Sequence, residues 1–201
     1  MPLEHQAGDC THAKAAYVQG MKELRTPTSL VRELQVASDY GQIYIYDPET
    51  QVGERDTGDE DDSPLVRAMN DGYESRRFDG YDCGLIDVIT PSQYNWKAPM
   101  RVEVGDALPP LDTEGWDHVV EVSLPAPSGI LCFQASGGGE PIETQIPAGT
   151  YRARLSGRGY VAGAGEIEGH ESYRLQVWPA EEADPVLIKY WSGYDVMRSD
   201  V

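Results

Sequence analysis

The second half of the chain is a succession of short runs rich in Val, Ile, Leu and Tyr, each stopped by Gly, Pro, Asp or Ser. The runs fall at 85–89, 100–104, 118–124, 130–134, 150–155, 172–178 and 186–191, with two more at 34–36 and 43–46. Two of them alternate cleanly. Val120, Val122 and Leu124 share one face against Glu121 and Ser123; Tyr173, Leu175 and Val177 share one against Arg174 and Gln176. A period of two places one set toward a core and the other toward solvent. Turn residues at 106–110, 125–129, 137–139, 147–149 and 157–165 separate the runs,. Strands at this spacing, with no helices between them, predict a mainly β chain folded as an antiparallel β-sandwich.

Helical signals are few. Ala13, Tyr17, Met21 and Leu24 recur at helical spacing over 11–25, weakened by Gly20 and stopped before Pro27,. Ser63-Pro64 is a capping residue followed by a proline suited to the first helical position. The short helix it opens is expected to end at Asp71-Gly72. The expected organisation is a partly helical N-terminal extension over 1–29 and a sandwich domain over 30–201.

The chain has 201 residues, 34 acidic and 16 basic, for a net charge of −18. Such a surface repels phosphate backbones and anionic lipid, so nucleic acid and membranes are excluded as expected partners. No run approaches the roughly 18 apolar residues of a membrane span, and the first residues lack the basic start and apolar run of a secretory signal,. A cytoplasmic location is the expectation. Cys10, Cys83 and Cys132 are odd in number and form no C-x-x-C pair, which argues against a disulfide framework; Cys83 and Cys132 read as small core residues,. Arg152, Arg154 and Arg158 read as salt-bridging partners of the excess carboxylates.

Residues 49–62 form an acidic loop in which Glu54, Asp56, Asp59, Glu60, Asp61 and Asp62 crowd into nine positions. A calcium reading fails, because Pro64 stands where an EF-hand loop needs glycine and Asn70 where it needs glutamate,. His5, Asp9, Cys10 and His12 have ligand chemistry but no second cluster to complete a zinc site. His118 and His170 are isolated, and Cys132 lies inside an apolar strand. Ser136-Gly137-Gly138-Gly139 opens no helix and lacks the Lys-Ser/Thr of a P-loop. No catalytic residue, metal site or cofactor is expected.

Twelve tyrosines and four tryptophans against two phenylalanines favour rings with a polar handle, which suit surfaces that meet a partner,. Tyr40, Tyr44, Tyr46, Tyr94, Trp96, Tyr190, Trp191 and Tyr194 are the candidates. At this point they serve equally well as sandwich rims.

The segment Asp39-Tyr40-Gly41-Gln42-Ile43-Tyr44-Ile45-Tyr46, followed by a short helix and Asp71-Gly72-Tyr73, resembles the competence-protein-J-like family. So do the block over 119–124, Ser128-Gly129-Ile130 and the block over 146–154. Blocks over 116–122 and 173–179 are similar to uncharacterised actinobacterial proteins. The likeness covers roughly 30–195; the N-terminal stretch and the acidic loop are extra to it. The family's founding member inhibits a DNA nuclease, so the resemblance implies an immunity-like inhibitor, with no contact residues to carry over. The expected function is a non-enzymatic, acidic protein-binding module for a cationic protein such as a nuclease or toxin. Asp59, Glu60, Asp61, Asp62, Tyr44, Tyr46 and Trp96 are its candidate contacts. The alternative is a small-ligand-binding or enzymatic sandwich with a site among the loops near Trp96 and Trp116.

Overall fold

A computed structural model describes residues 30–50, 63–160 and 168–198. Among them a six-stranded sheet packs on a five-stranded one. The larger sheet runs β1 (Leu30–Ser38), β5 (Asn95–Val104), β10 (Ser172–Pro179), β9 (Gly149–Arg158), β6 (His118–Ala126) and β11 (Val186–Lys189). The smaller runs β3 (Asp79–Asp82), β4 (Leu85–Ile89), β2 (Gln42–Tyr46), β7 (Ile130–Ala135) and β8 (Ile142–Gln145). Every strand pair is antiparallel except β5 with β10. The mainly β sandwich expected from the spacing is the fold observed, with one parallel pair added.

Alternation decides the layering. Val120, Val122, Leu124, Leu175 and Val177 from the large sheet meet Ile43, Ile45, Ile86, Val88 and Phe133 from the small one in a single buried core. Removing such side chains from water is the main stabilising term, roughly 1.5–3 kcal/mol for each large apolar residue. The reverse face of the small sheet is also covered. Tyr44, Tyr46, Leu85 and Cys132 form a second cluster there with Ala68 of helix α1 (Pro64–Glu74). Strand β4 is therefore buried on both faces.

Helix α1 begins as its sequence dictates. Ser63 is the cap, its Oγ accepting from Val66 N at 3.3 Å, and Pro64 follows. It does not stop at Asp71-Gly72. Gly72 lies within the helix, where an added Cβ would meet Ile89 Cδ1 at 3.0 Å and Gly80 N at 3.1 Å. A Cβ on Gly80 would fall 1.7 Å from the Ala68 carbonyl oxygen. Helix and strand backbones touch at these two glycines, so the expected helix stop is a packing contact instead.

Two hairpins turn on residues with positive φ. Tyr40 (49°) and Gly41 (75°) join β1 to β2, crossing from one sheet to the other; Cys83 (43°) and Gly84 (94°) join β3 to β4. Left-handed residues at both central positions match the twist of the flanking strands. Cys83 corrects two expectations: it is half-buried in this turn instead of being a small core residue, and it is disulfide-bonded although cysteine number and spacing argue against disulfides. Cys132 is a buried free thiol. Three elements had no sequence signal: β3, β8 and α2 (Gly193–Arg198). The expected helix over 11–25, the N-terminal ligand cluster and most of the acidic loop lie outside the described residues.

Gly80→Ala is expected to destabilise the protein by about 2 kcal/mol or more, because an overpacked contact with main chain has no side chain to yield. Gly105→Ala, whose Cβ would meet nothing nearer than 3.6 Å, should stay within about 0.5 kcal/mol. Urea unfolding of both variants checks this; equal midpoints would refute the helix–strand contact.

Candidate functional site

The expected contact residues divide. Asp59, Glu60, Asp61 and Asp62 lie outside the described residues. Tyr44 and Tyr46 are a correction: at 9% and 8% exposure they belong to the cluster beneath α1, and Tyr46 Oη donates to Gln134 Oε1 at 2.8 Å. Their face of the small sheet is the one the helix covers, so they anchor packing. Of the tail rings, Trp191 and Tyr194 are buried too. Trp96 alone of the three expected aromatic contacts is exposed, at 57%.

The one buried histidine–carboxylate pair among the described residues closes an end of the sandwich. His118 starts β6 and Asp79 starts β3; each is 1% exposed, and Nε2 lies 3.3 Å from Asp79 Oδ2. His118 Nε2 also hydrogen-bonds the Arg77 carbonyl, and Nδ1 accepts from Trp191 N–H at 3.3 Å. An acceptor at Nδ1 places the hydrogen on Nε2, which assigns the neutral tautomer. Burial raises the Asp79 pKa against the opposing pull of His118,. Tyr160, Tyr190 and Tyr194 surround the ring, and Tyr194 stacks on Phe78 at 3.9 Å. With both groups closed off from solvent, the pair fastens sheets together and presents nothing to a substrate.

A different carboxylate, Asp87, sits on the helix-covered side beside Tyr44. Gln42 Nε2 donates to Oδ2 at 2.8 Å, while Oδ1 has no partner. Burial, with a smaller contribution from Asp79, pushes its pKa from 3.8 to about 7 despite the Gln42 bond.

The open surface feature lies where β5 begins. Thr90 N–H donates to the Gly41 carbonyl at 2.7 Å and Gly41 N–H to the Gln93 carbonyl at 2.8 Å, clamping the 90–93 segment to the Tyr40-Gly41 turn. This brings Tyr40 within 6.0 Å of Tyr94, which stacks on Trp96 at 5.5 Å and 15°. Tyr40 is 66% exposed. Beside the row is a groove of about 500 Å³ lined by Asn95, Trp96, Lys97, Glu168, His170 and Glu171. Gly169 N–H donates to the Tyr94 carbonyl at 2.7 Å, and Asn95 Nδ2 to the Glu171 carbonyl at 3.2 Å, so one backbone and one side-chain hydrogen bond tie the two walls together. The sequence marked Tyr40, Tyr94 and Trp96; Glu168 and Glu171, some seventy residues away, carried no signal.

Trp116 is occupied from within, lying under the guanidinium groups of Arg174 (4.6 Å) and Arg158 (5.0 Å). Arg154 pairs with Glu121 as expected, whereas Arg152 donates to the Ala183 carbonyl and Arg158 to Ser172 Oγ. Among the described residues no group of three or more His, Cys, Asp or Glu could hold a metal ion, and no helix is long and apolar enough to cross a membrane.

Fold and surface thus define a two-sheet β protein with an aromatic-walled groove at the head of β5. No protein-family model matches the chain, and no curated protein matches it. Among solved structures it is similar to Crocagin biosynthetic gene J, at 15% identity and a TM-score of 0.49, over 77% of this chain and 100% of that one.

Two outcomes follow from the buried groups. His118→Ala should cost roughly 3 kcal/mol in urea unfolding, since it empties a core site and strands the Trp191 amide. Asp87 has its folded pKa raised, so its contribution is fully present below the ordinary carboxylate pKa and is lost as pH rises through about 7,. Asp87→Asn should therefore gain stability relative to the wild type as pH rises across this window, by about 1.4 kcal/mol for each pH unit. A stability difference that is flat with pH would contradict the buried, raised carboxylate.

Proposed function

We propose that this protein is a non-enzymatic, acidic protein-binding module that docks a cationic partner, an immunity-like inhibitor of a nuclease or toxin. The observation that carries the reading is the Tyr40–Tyr94–Trp96 row beside the groove, exposed at Tyr40 and Trp96 with half-buried Tyr94 between them, on a chain of net charge −18. Exposed, stacked aromatics held by a fixed backbone make efficient binding anchors, because little side-chain freedom is lost on contact. A nuclease or toxin that acts on nucleic acid presents a cationic cleft, which an acidic surface attracts and can occlude. The resemblance to competence-protein-J-like inhibitors supports the same direction. The enclosure of the His118–Asp79 pair favours binding over catalysis as the use of this fold.

A second reading, small-ligand binding, draws on the groove volume, which falls in the range of about 300–1,000 Å³ typical of ligand sites,. A partner whose capture is blocked by Trp96→Ala favours the first reading; a metabolite that co-purifies and is released by Trp96→Ala favours the second.

Capture from cell extract, followed by binding kinetics, tests the proposal. Asp59→Asn, Glu60→Gln, Asp61→Asn and Asp62→Asn together should slow association and flatten its salt dependence, with little change in dissociation. Trp96→Ala should raise the off-rate at least fivefold, about 1 kcal/mol. Tyr44→Ala should lower stability instead, being buried. A partner whose rates ignore Trp96, the loop charges and salt would overturn the reading.

A further inference from the structure

Glu171, in the groove wall, is a buried carboxylate left without a cation. It is 0% exposed; Oε1 accepts from Ser92 Oγ at 2.5 Å, and Oε2 has no partner. Among the described residues no arginine, lysine or histidine forms an ion pair with it. Gly169 covers this carboxyl. A Cβ at Gly169 would stand 2.0 Å from Glu171 Oε2 and 2.0 Å from Ser92 Oγ, so the free oxygen lies directly beneath bare backbone of the groove. The surrounding wall supplies the Trp96 ring, already stacked on Tyr94, and the exposed carboxylate of Glu168.

We propose that the groove seats an arginine side chain of the partner protein, its guanidinium plane on Trp96 and its N–H groups toward Glu168, over the Gly169 backbone that covers the Glu171 carboxyl. The inference rests on the protein-binding reading and names the chemistry that the groove selects. A buried acceptor with no donor favours a ligand that brings positive charge, because burial weakens solvent screening. Arginine suits this wall better than lysine: its flat, delocalised cation stacks on indole while its N–H fork remains free to donate. Lys97 and His170 also line the groove. Both are exposed, so solvent and salt screen them more than they screen Glu171. Lys97 opposes the incoming cation and sets the strength of binding.

The full chain is titrated at low salt with three blocked pentapeptides, centred on arginine, lysine or glutamate, and followed by amide chemical shifts. The arginine peptide should shift residues 94–97 and 168–171 and bind at least threefold tighter than the lysine peptide; the glutamate peptide should not bind. Trp96→Ala and Glu171→Gln should each weaken the arginine peptide about tenfold, and Lys97→Met should tighten it. If Glu171→Gln proves unstable in a thermal melt, Glu168→Gln and Lys97→Met carry the test, with opposite effects expected. Shifts spread over the acidic surface, equal affinities for arginine and lysine, or binding of the glutamate peptide would each overturn the inference. A captured partner that still depends on Trp96 while the arginine peptide fails to bind would overturn this inference alone; a partner indifferent to Trp96 would overturn the binding reading itself.

Discussion

At the imidazole of His118 three stretches of chain distant in sequence are tied together by direct contacts. The ring belongs to β6; its Nε2 faces the Arg77 carbonyl and the Asp79 carboxyl at the entry to β3, and its Nδ1 takes the Trp191 amide of the C-terminal segment. A buried polar ring is tolerated only when its hydrogen-bonding capacity is met internally. Meeting it fixes where β3 begins and where the chain after β11 returns. The aromatic packing that follows, with Tyr194 stacked on Phe78 and set edge-on to Trp191, then seals this end of the sandwich. Tyr194 Oη finds the Ile89 carbonyl at 2.6 Å, extending the tie to β4.

The same economy governs the charges. Across the outer face of the large sheet, Glu33 and Glu103 pair with Arg101, Gln176 donates to Glu103 at 2.9 Å, and Arg154 pairs with Glu121. Arg67, Arg77 and Arg174 are paired with aspartates as well. With 16 basic residues against 34 acidic ones, arginines committed to internal pairs leave the acidic excess to face solvent. Exposed pairs of this kind add little stability individually. The field that a cationic partner in the proposed reading would encounter is set by the net charge.

The groove depends on the fold in a similar way. A positive-φ turn at Tyr40-Gly41, the clamp of 90–93 upon it and the parallel approach of β10 to β5 are all needed before Tyr40, Trp96 and Glu168 share one surface with Glu171 buried behind it. Only the turn is local; the clamp and the β5–β10 pairing join segments distant in sequence. A site assembled from three segments tolerates change in any one side chain while its backbone frame stays fixed, which is how loop surfaces on rigid sheets acquire specificity.

Much of the architecture was legible from local pattern. Alternation at 118–124 and 172–178 reports which side of a strand is buried, because a period of two is a property of the backbone alone. Ser63-Pro64 announces a helix start for an equally local reason, the orphan amides of its first turn. The same pattern could not separate one buried face from two. Tyr44 and Tyr46 look like surface rings until α1 covers them, and Gly72 looks like a helix stop until Gly80 is seen against it. Strand β3, reading Asp-Gly-Tyr-Asp, has the composition of a turn and pairs as a strand because the Cys83-Gly84 hairpin and the helix above impose it. His118 and Glu171 are isolated letters in the sequence. Their partners lie 39 and 79 residues away, at Asp79 and Ser92, so only the tertiary structure, by bringing distant strands within hydrogen-bonding distance, could make one a fastening and the other a buried charge.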